Sequence, residues 1–289
     1  MGLEAAAPAA VDKLREAGVS AVVTKGPGIA GTYPQAALRP FRDIDILVPK
    51  GRFIRARGAL EAMGFHSLPD RERPRAYFDL HCREALNLFR EDGTSIDLHH
   101  HIPPWIWGRQ MSFREVRDRA KPLALPAGVV PIADPVHNLL IAALHLISDG
   151  GRPGQTLLIW RDLVALAHAT DPRIGAAEAR RVRLDWCLAF VLRALPGFAR
   201  PRELLRHLGD ALPDRADAFR LRHLLPPAVG SRHLVGQAFR LPLPNAVSFM
   251  AGYLLPSRPF LKGRYGSPNA YRRWWGDAFG RLKEAQTVG

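Results

Sequence analysis

Apolar residues recur at helical spacing over residues 4–17, with Leu14 and Ala17 on the apolar side, and predict a short first helix despite Pro8. Residues 20–24 read as a strand. It runs into Lys25-Gly26-Pro27-Gly28, a turn whose glycines allow close backbone approach, and Pro27 suits the first turn of a short helix over 29–33. After a loop bracketed by Pro34 and Pro40, residues 43–48 read Asp-Ile-Asp-Ile-Leu-Val and predict a second strand. An amphipathic helix over 53–63 follows, ended by Gly64. Residues 70–75 form a charged loop. Residues 77–82 and 85–89 predict one broken strand or two short ones, and Glu91-Asp92-Gly93 turns the chain back into a strand over 94–102, giving an antiparallel ribbon.

Beyond residue 134 the period changes to helical. Asp134-Pro135 is an N-cap followed by proline at the first helical position, and the predicted helices cover 136–147, 157–169, 180–195, 201–208 and 270–283. The reading is an α+β protein, divided into a sheet-bearing domain over 1–125 and a helical domain over 126–289.

Bulk properties narrow the classes. Apolar residues are 47% of 289, enough for buried cores and against global disorder. The best candidate for a membrane span, residues 136–147, is too short and holds His137, Asn138 and His145. No basic segment followed by an apolar run precedes residue 10, and Cys82 and Cys187 lack any metal or redox spacing, so a cytoplasmic protein is expected. The net charge is +14, and 35 of the 41 basic residues are arginine. That excess fits an electropositive surface for nucleotides or RNA, and equally an arginine-favouring gene composition.

Chemistry concentrates in the second strand. Asp43 and Asp45 share one face, while Ile44 and Ile46 take the other. Two like charges about 7 Å apart among apolar neighbours repel and resist burial, a conflict that a divalent cation removes. Asp97, within Ser95-Ile-Asp-Leu-His99, lies in an equally apolar strand. If the two strands adjoin, three carboxylates converge as a two-metal phosphoryl-transfer site requires. Lys25, Arg39 and Arg42 stand near enough in sequence to neutralise a triphosphate or to pair with the acids. Asp97, His99 and His101 alternate onto one face, a pattern open to a metal role and to an outer or solvent-facing one. His81 on the partner strand is a further candidate for the same cleft. His145 and Asp162, on successive helices, suit pairing with each other or contact with a nucleotide.

Lys25-Gly26, the run Leu38-Arg-Pro-Phe-Arg-Asp-Ile-Asp-Ile-Leu-Val48 and Ile96-Asp-Leu-His-His100 together resemble the uncharacterised nucleotidyltransferase family of the DNA polymerase beta superfamily. The resemblance implies a small mixed sheet flanked by helices, with a mainly helical C-terminal region. It implies Asp43, Asp45 and Asp97 as catalytic metal ligands and Gly26 in a phosphate-facing turn. Two Mg2+ ions, with Mn2+ as an alternative, and an NTP would be the cofactor and substrate. A nucleoside monophosphate would pass to an unidentified hydroxyl-bearing acceptor (small molecule, peptide or RNA) with release of pyrophosphate. A non-catalytic nucleotide- or RNA-binding module and a metal-dependent phosphohydrolase are the competing classes.

Overall fold

The computed structural model describes residues 3–67, 81–82, 85–148, 156–223 and 243–284, with residues 238 and 241. Helix α1 (Leu3–Glu16) leads into β1 (Val22–Thr24), α2 (Gly26–Ala30), β2 (Ile44–Leu47) and α3 (Phe53–Glu61). Strands β3 (Leu86–Phe89) and β4 (Ser95–His99) form the hairpin turned at Gly93, whose φ of 84° only glycine adopts freely. Two short helices follow, α4 (Trp105–Gly108) and α5 (Phe113–Asp118), and then a second hairpin of β5 (Lys121–Leu125) and β6 (Gly128–Ile132).

The six strands form one mixed sheet in the order β3-β4-β2-β1-β6-β5. β2 runs parallel to β4 and antiparallel to β1, and β1 runs parallel to β6. The second hairpin was not foreseen, and it carries the sheet past the expected junction at 125/126. Its Pro122 and Pro131 are register partners, and β5 is an edge strand, where a missing N–H is tolerated.

Each face of the sheet has its own core. Val23, Ile44, Ile46, Leu88, Ile96 and Leu98 pack against Ala6, Ala10 and Leu14 of α1 and against Phe53 and Leu60 of α3. The opposite face presents Val22 and Leu47 to a helical layer. Its elements are α6 (Pro135–Ser148), α7 (Thr156–Ala169), α8 (Pro172–Arg181), α9 (Asp185–Ala194) and α10 (Arg202–Leu208). The alternation of β2 thus sends Ile44 and Ile46 to one core and leaves Asp45 on the helical side.

The single helix expected over 180–195 is two, broken at Val182–Leu184 with Arg183 at φ 54°. The left-handed Arg183 stops α8: its N–H donates to the Arg180 carbonyl at 2.9 Å and that of Leu184 to the Ala179 carbonyl at 2.8 Å, while Val182 and Leu184 are both buried. Trp107 is buried in the helical core, donates to Asp217 at 2.8 Å and packs edge-on against Trp186. Asp217 belongs to α11 (Arg215–His223), and beyond it lie α12 (Leu243–Leu254), α13 (Arg258–Tyr265) and α14 (Tyr271–Glu284). The aromatic tail docks on α12, with Trp274 and Trp275 donating to the carbonyls of Tyr253 and Leu254. The expected loop at 70–75 and strand residues 77–80 lie outside the described residues. His81 is helical and Cys82 lies in a turn, so neither extends the ribbon.

Candidate active site

The parallel pairing of β2 with β4 places Asp45 and Asp97 as register partners, so both side chains leave the same face of the sheet. Thr24 pairs with Asp45 on one flank and Asn87 with Asp97 on the other, giving a polar row Thr24-Asp45-Asp97-Asn87 across four strands. Asn87 Nδ2 donates to Asp97 Oδ1. Two residues further along β4, His99 shares the face, and its Nε2 lies 3.1 Å from Asp45 Oδ1. Asp45, Asp97 and His99 each offer one ligand atom within 4.8 Å of the others.

The local chain path explains Lys25. Its backbone sits at φ 51° and Gly26 at φ 27°, a tight exit from β1 that bends the chain over β2. The amide of Lys25 donates to Asn138 Oδ1 at 2.9 Å, and Asn138 Nδ2 donates to the Ala133 carbonyl at 2.9 Å. Asn138 is 1% exposed, a polar exception on the apolar helix α6, and that exception was the sequence signal for its role. So held, Lys25 Nζ reaches Asp45 Oδ1 at 2.9 Å.

The electrostatics follow. Burial works to raise the pKa of Asp45, but Lys25 and the His99 hydrogen bond outweigh it and hold the carboxyl well below the ordinary 3.8. Burial works to lower Lys25, but Asp45, then Asp97 and Asp43, keep its pKa above 10.5. Asp43, half-buried one step before β2, is pushed up by burial and by repulsion from Asp45 and Asp97, against the opposing pull of Lys25 and Arg39. It feels the pair's charge yet stands outside the three-residue ligand group. Asp97 is half-buried too, so the acids are open toward the Asp43 and Asp97 side.

The two arginines take different places. Arg39 is buried and makes two hydrogen bonds to Asp162 of α7, Nε to Oδ1 at 3.2 Å and Nη2 to Oδ2 at 2.8 Å. Tyr33 donates to the same Oδ1 at 2.7 Å. Arg39 therefore clamps the loop before β2 to the helical layer instead of pairing with the acids directly, and Asp162 meets Arg39 and Tyr33. Arg42 is exposed, with its guanidinium in no ion pair among the described residues, while its carbonyl accepts from Ser95 Oγ at 2.9 Å.

The histidine run divides. His99 joins the acids, but β4 ends there, and His100 turns to the other side against the Phe53 ring at 4.9 Å. His101 packs on His100, Nδ1 to Nδ1 3.3 Å, so it does not continue the Asp97–His99 face. Asn87, Tyr33 and Asn138 are the partners that sequence reasoning missed.

A divalent cation fits this donor set. Two carboxylates and an imidazole converge, and the ammonium already drawn to Asp45 marks the spot as one that attracts positive charge.

No protein of curated function matches the sequence. Among solved structures, an antigenic nucleotidyltransferase-like protein from Paracoccidioides brasiliensis is similar at 15% identity and a TM-score of 0.46, covering 74% of this chain and 95% of that one. A family model described as uncharacterised nucleotidyltransferase matches residues 3–195, which span all six strands, the acids, Lys25 and Asp162. The chain belongs to that family of nucleotidyltransferases.

Proposed function

We propose that the protein transfers a nucleoside monophosphate from an NTP to a hydroxyl-bearing acceptor, dependent on magnesium or manganese. The observation that carries this reading is the register pairing of Asp45 with Asp97, with His99 in reach of both. Asp45, Asp97 and His99 would hold the cation, and Asp43 would join them at the open side once a cation offsets the burial and the repulsion that raise its pKa. A bound divalent ion supplies Lewis-acid polarisation of the phosphoryl oxygens.

The rest falls to the chain's own groups. The acceptor oxygen attacks the α-phosphorus, the bond from that phosphorus to the bridging oxygen breaks, and pyrophosphate leaves. Asp97, half-buried and hydrogen-bonded by Asn87, is positioned to take the hydroxyl proton. Lys25, released from Asp45, moves onto the phosphates, and exposed Arg42 adds a second positive charge. Arg39 acts as a positioning residue by fixing the loop that carries Arg42 and Asp43.

Pyrophosphate release from each NTP, measured with and without magnesium, tests the reading. Asp45→Asn should lose more than about a hundredfold of that activity, beyond what removal of an outer partner costs. Equal release by the variant contradicts it. The imidazole of His99 favours a second reading, a manganese- or zinc-dependent phosphohydrolase. Orthophosphate in place of pyrophosphate among the products would select it.

A further inference from the structure

Helix α7 turns one face, from Leu157 through Trp160, Val164 and His168, toward Tyr33 after α2 and toward Phe198 beyond α9, and these segments enclose a cleft of about 760 Å³. That volume lies within the roughly 300–1,000 Å³ of small-molecule sites. The walls are mainly apolar and rich in rings. Leu157 is 73% exposed and Phe198 94%, so large apolar side chains face solvent across a concave surface, where a ligand's apolar body would release water. At the rim the Arg161 guanidinium stands 5.5 Å from the Tyr33 ring centroid and brings a positive charge to a wall whose other polar side chains are Thr32, Tyr33 and His168.

The cleft is tied to the acids. Tyr33, in its wall, donates to Asp162, and Asp162 also holds Arg39, four residues before Asp43. At the other end of the same short segment Lys25 rests on Asp45. The five-residue helix α2 advances about 7 Å, and a turn over 31–33 completes the link from Lys25 to Tyr33. A nucleobase needs hydrogen-bonding partners along its edge, and few polar groups line this space, so the donor's base is the poorer occupant.

We infer that the cleft is the acceptor subsite of the transferase proposed above, shaped for a small hydroxyl-bearing molecule with an apolar ring system and an anionic group. The assignment of an acceptor rests on that reading, but the binding site itself is testable without turnover. The probe is 6-hydroxy-2-naphthoate, followed by its own fluorescence anisotropy with the full-length protein. Binding should saturate at one per chain without magnesium or ATP. Ala165→Trp, which fills the cleft, and Phe198→Ser, at a site too exposed to disturb folding, should each weaken it about tenfold, equivalent to ~1.4 kcal/mol. Arg161→Gln should weaken naphthoate binding and leave 2-naphthol binding unchanged.

Absence of saturable binding, or binding unaltered in both cleft variants, overturns the site. Displacement of the probe by ATP alone assigns the cleft to the donor base and overturns the acceptor role. Probe binding as expected, with no pyrophosphate release from any NTP, keeps the ligand site and removes the transferase reading instead.

Discussion

Asp45 and Asp97 stand opposite each other in register on two parallel strands, both on the face of the sheet turned to the helical layer. A pair of carboxylates so placed repels unless a cation lies between or beside them, and here the Lys25 ammonium serves that role 2.9 Å from Asp45.

On the proposed reading, Lys25 and a divalent ion compete for Asp45. Lys25→Met should lower the melting temperature in EDTA and show a larger rise than the wild type on adding manganese, because cation binding then relieves a repulsion left uncompensated. Linkage sets the scale, about 2.7 kcal/mol of stabilisation at a hundred times the dissociation constant. Equal manganese-induced shifts in both proteins would contradict the competition.

The Arg39–Asp162 pair is buried, with side chains 9% and 3% exposed. Asp162→Ala leaves a buried guanidinium without its partner and removes the acceptor of the Tyr33 hydroxyl, so urea denaturation should show a loss of about 3–5 kcal/mol. Tyr33→Phe removes one hydrogen bond and should cost about 1 kcal/mol. A fully stable Asp162→Ala protein would show that the clamp contributes nothing.

Gly108 lies where α4 passes the backbone of Ile102, and a Cβ there would fall 1.7 Å from the Ile102 carbonyl oxygen. A backbone atom cannot swing aside as a side-chain tip can. Gly108→Ala should therefore destabilise by about 1–3 kcal/mol or more, as overpacking does, in a chemical melt. Tolerance of alanine there would mean that the segments separate freely.

A buried network joins the sheet to the helices. His137, wholly buried, lies 3.1 Å from Asp134 and 3.6 Å from Glu178, and Arg119 bridges the two acids at 2.7 and 3.1 Å. Burial works to raise Asp134, but hydrogen bonds from His137 and the charge of Arg119 lower it below 3.8; the Arg181 hydrogen bond chiefly lowers Glu178 below 4.5. Folded pKa values below unfolded ones mean that these groups stabilise the fold above the ordinary carboxylate values and lose that contribution as pH falls through the folded ones. Thermal melts should drop steeply below pH ~4, and Asp134→Asn should flatten the drop. An unchanged acid limb in the variant would assign acid sensitivity elsewhere.

Strands β2 and β4 were legible because alternation and chemistry coincide in them. Asp43, Asp45 and Asp97 are charges where an apolar strand should have none, and the structure brings Asp45 and Asp97 together. Lys25 was readable as a nearby cation, but its bond to Asp45 depends on the positive-φ turn at 25–26 and on Asn138, 113 residues away. Arg39 shows the limit more sharply, since its sequence neighbours are the acids and its partner is Asp162 on a distant helix. The β5–β6 hairpin was hidden by Pro122 and Pro131, which a sequence pattern penalises, although Pro122 stands on the edge strand β5, where a missing N–H is tolerated. The break at Arg183 carries neither glycine nor proline, so the left-handed turn that ends α8 there, closed by the Leu184 N–H donating to the Ala179 carbonyl at 2.8 Å, has no sequence signal.

Manganese binding followed by the loss of its free-ion electron paramagnetic resonance signal tests the central claim most directly. The wild type should bind manganese saturably, while Asp45→Asn and Asp97→Asn, folded by circular dichroism, should each bind at least about tenfold more weakly. Affinity unchanged by both substitutions would show that these two strands do not build a metal centre.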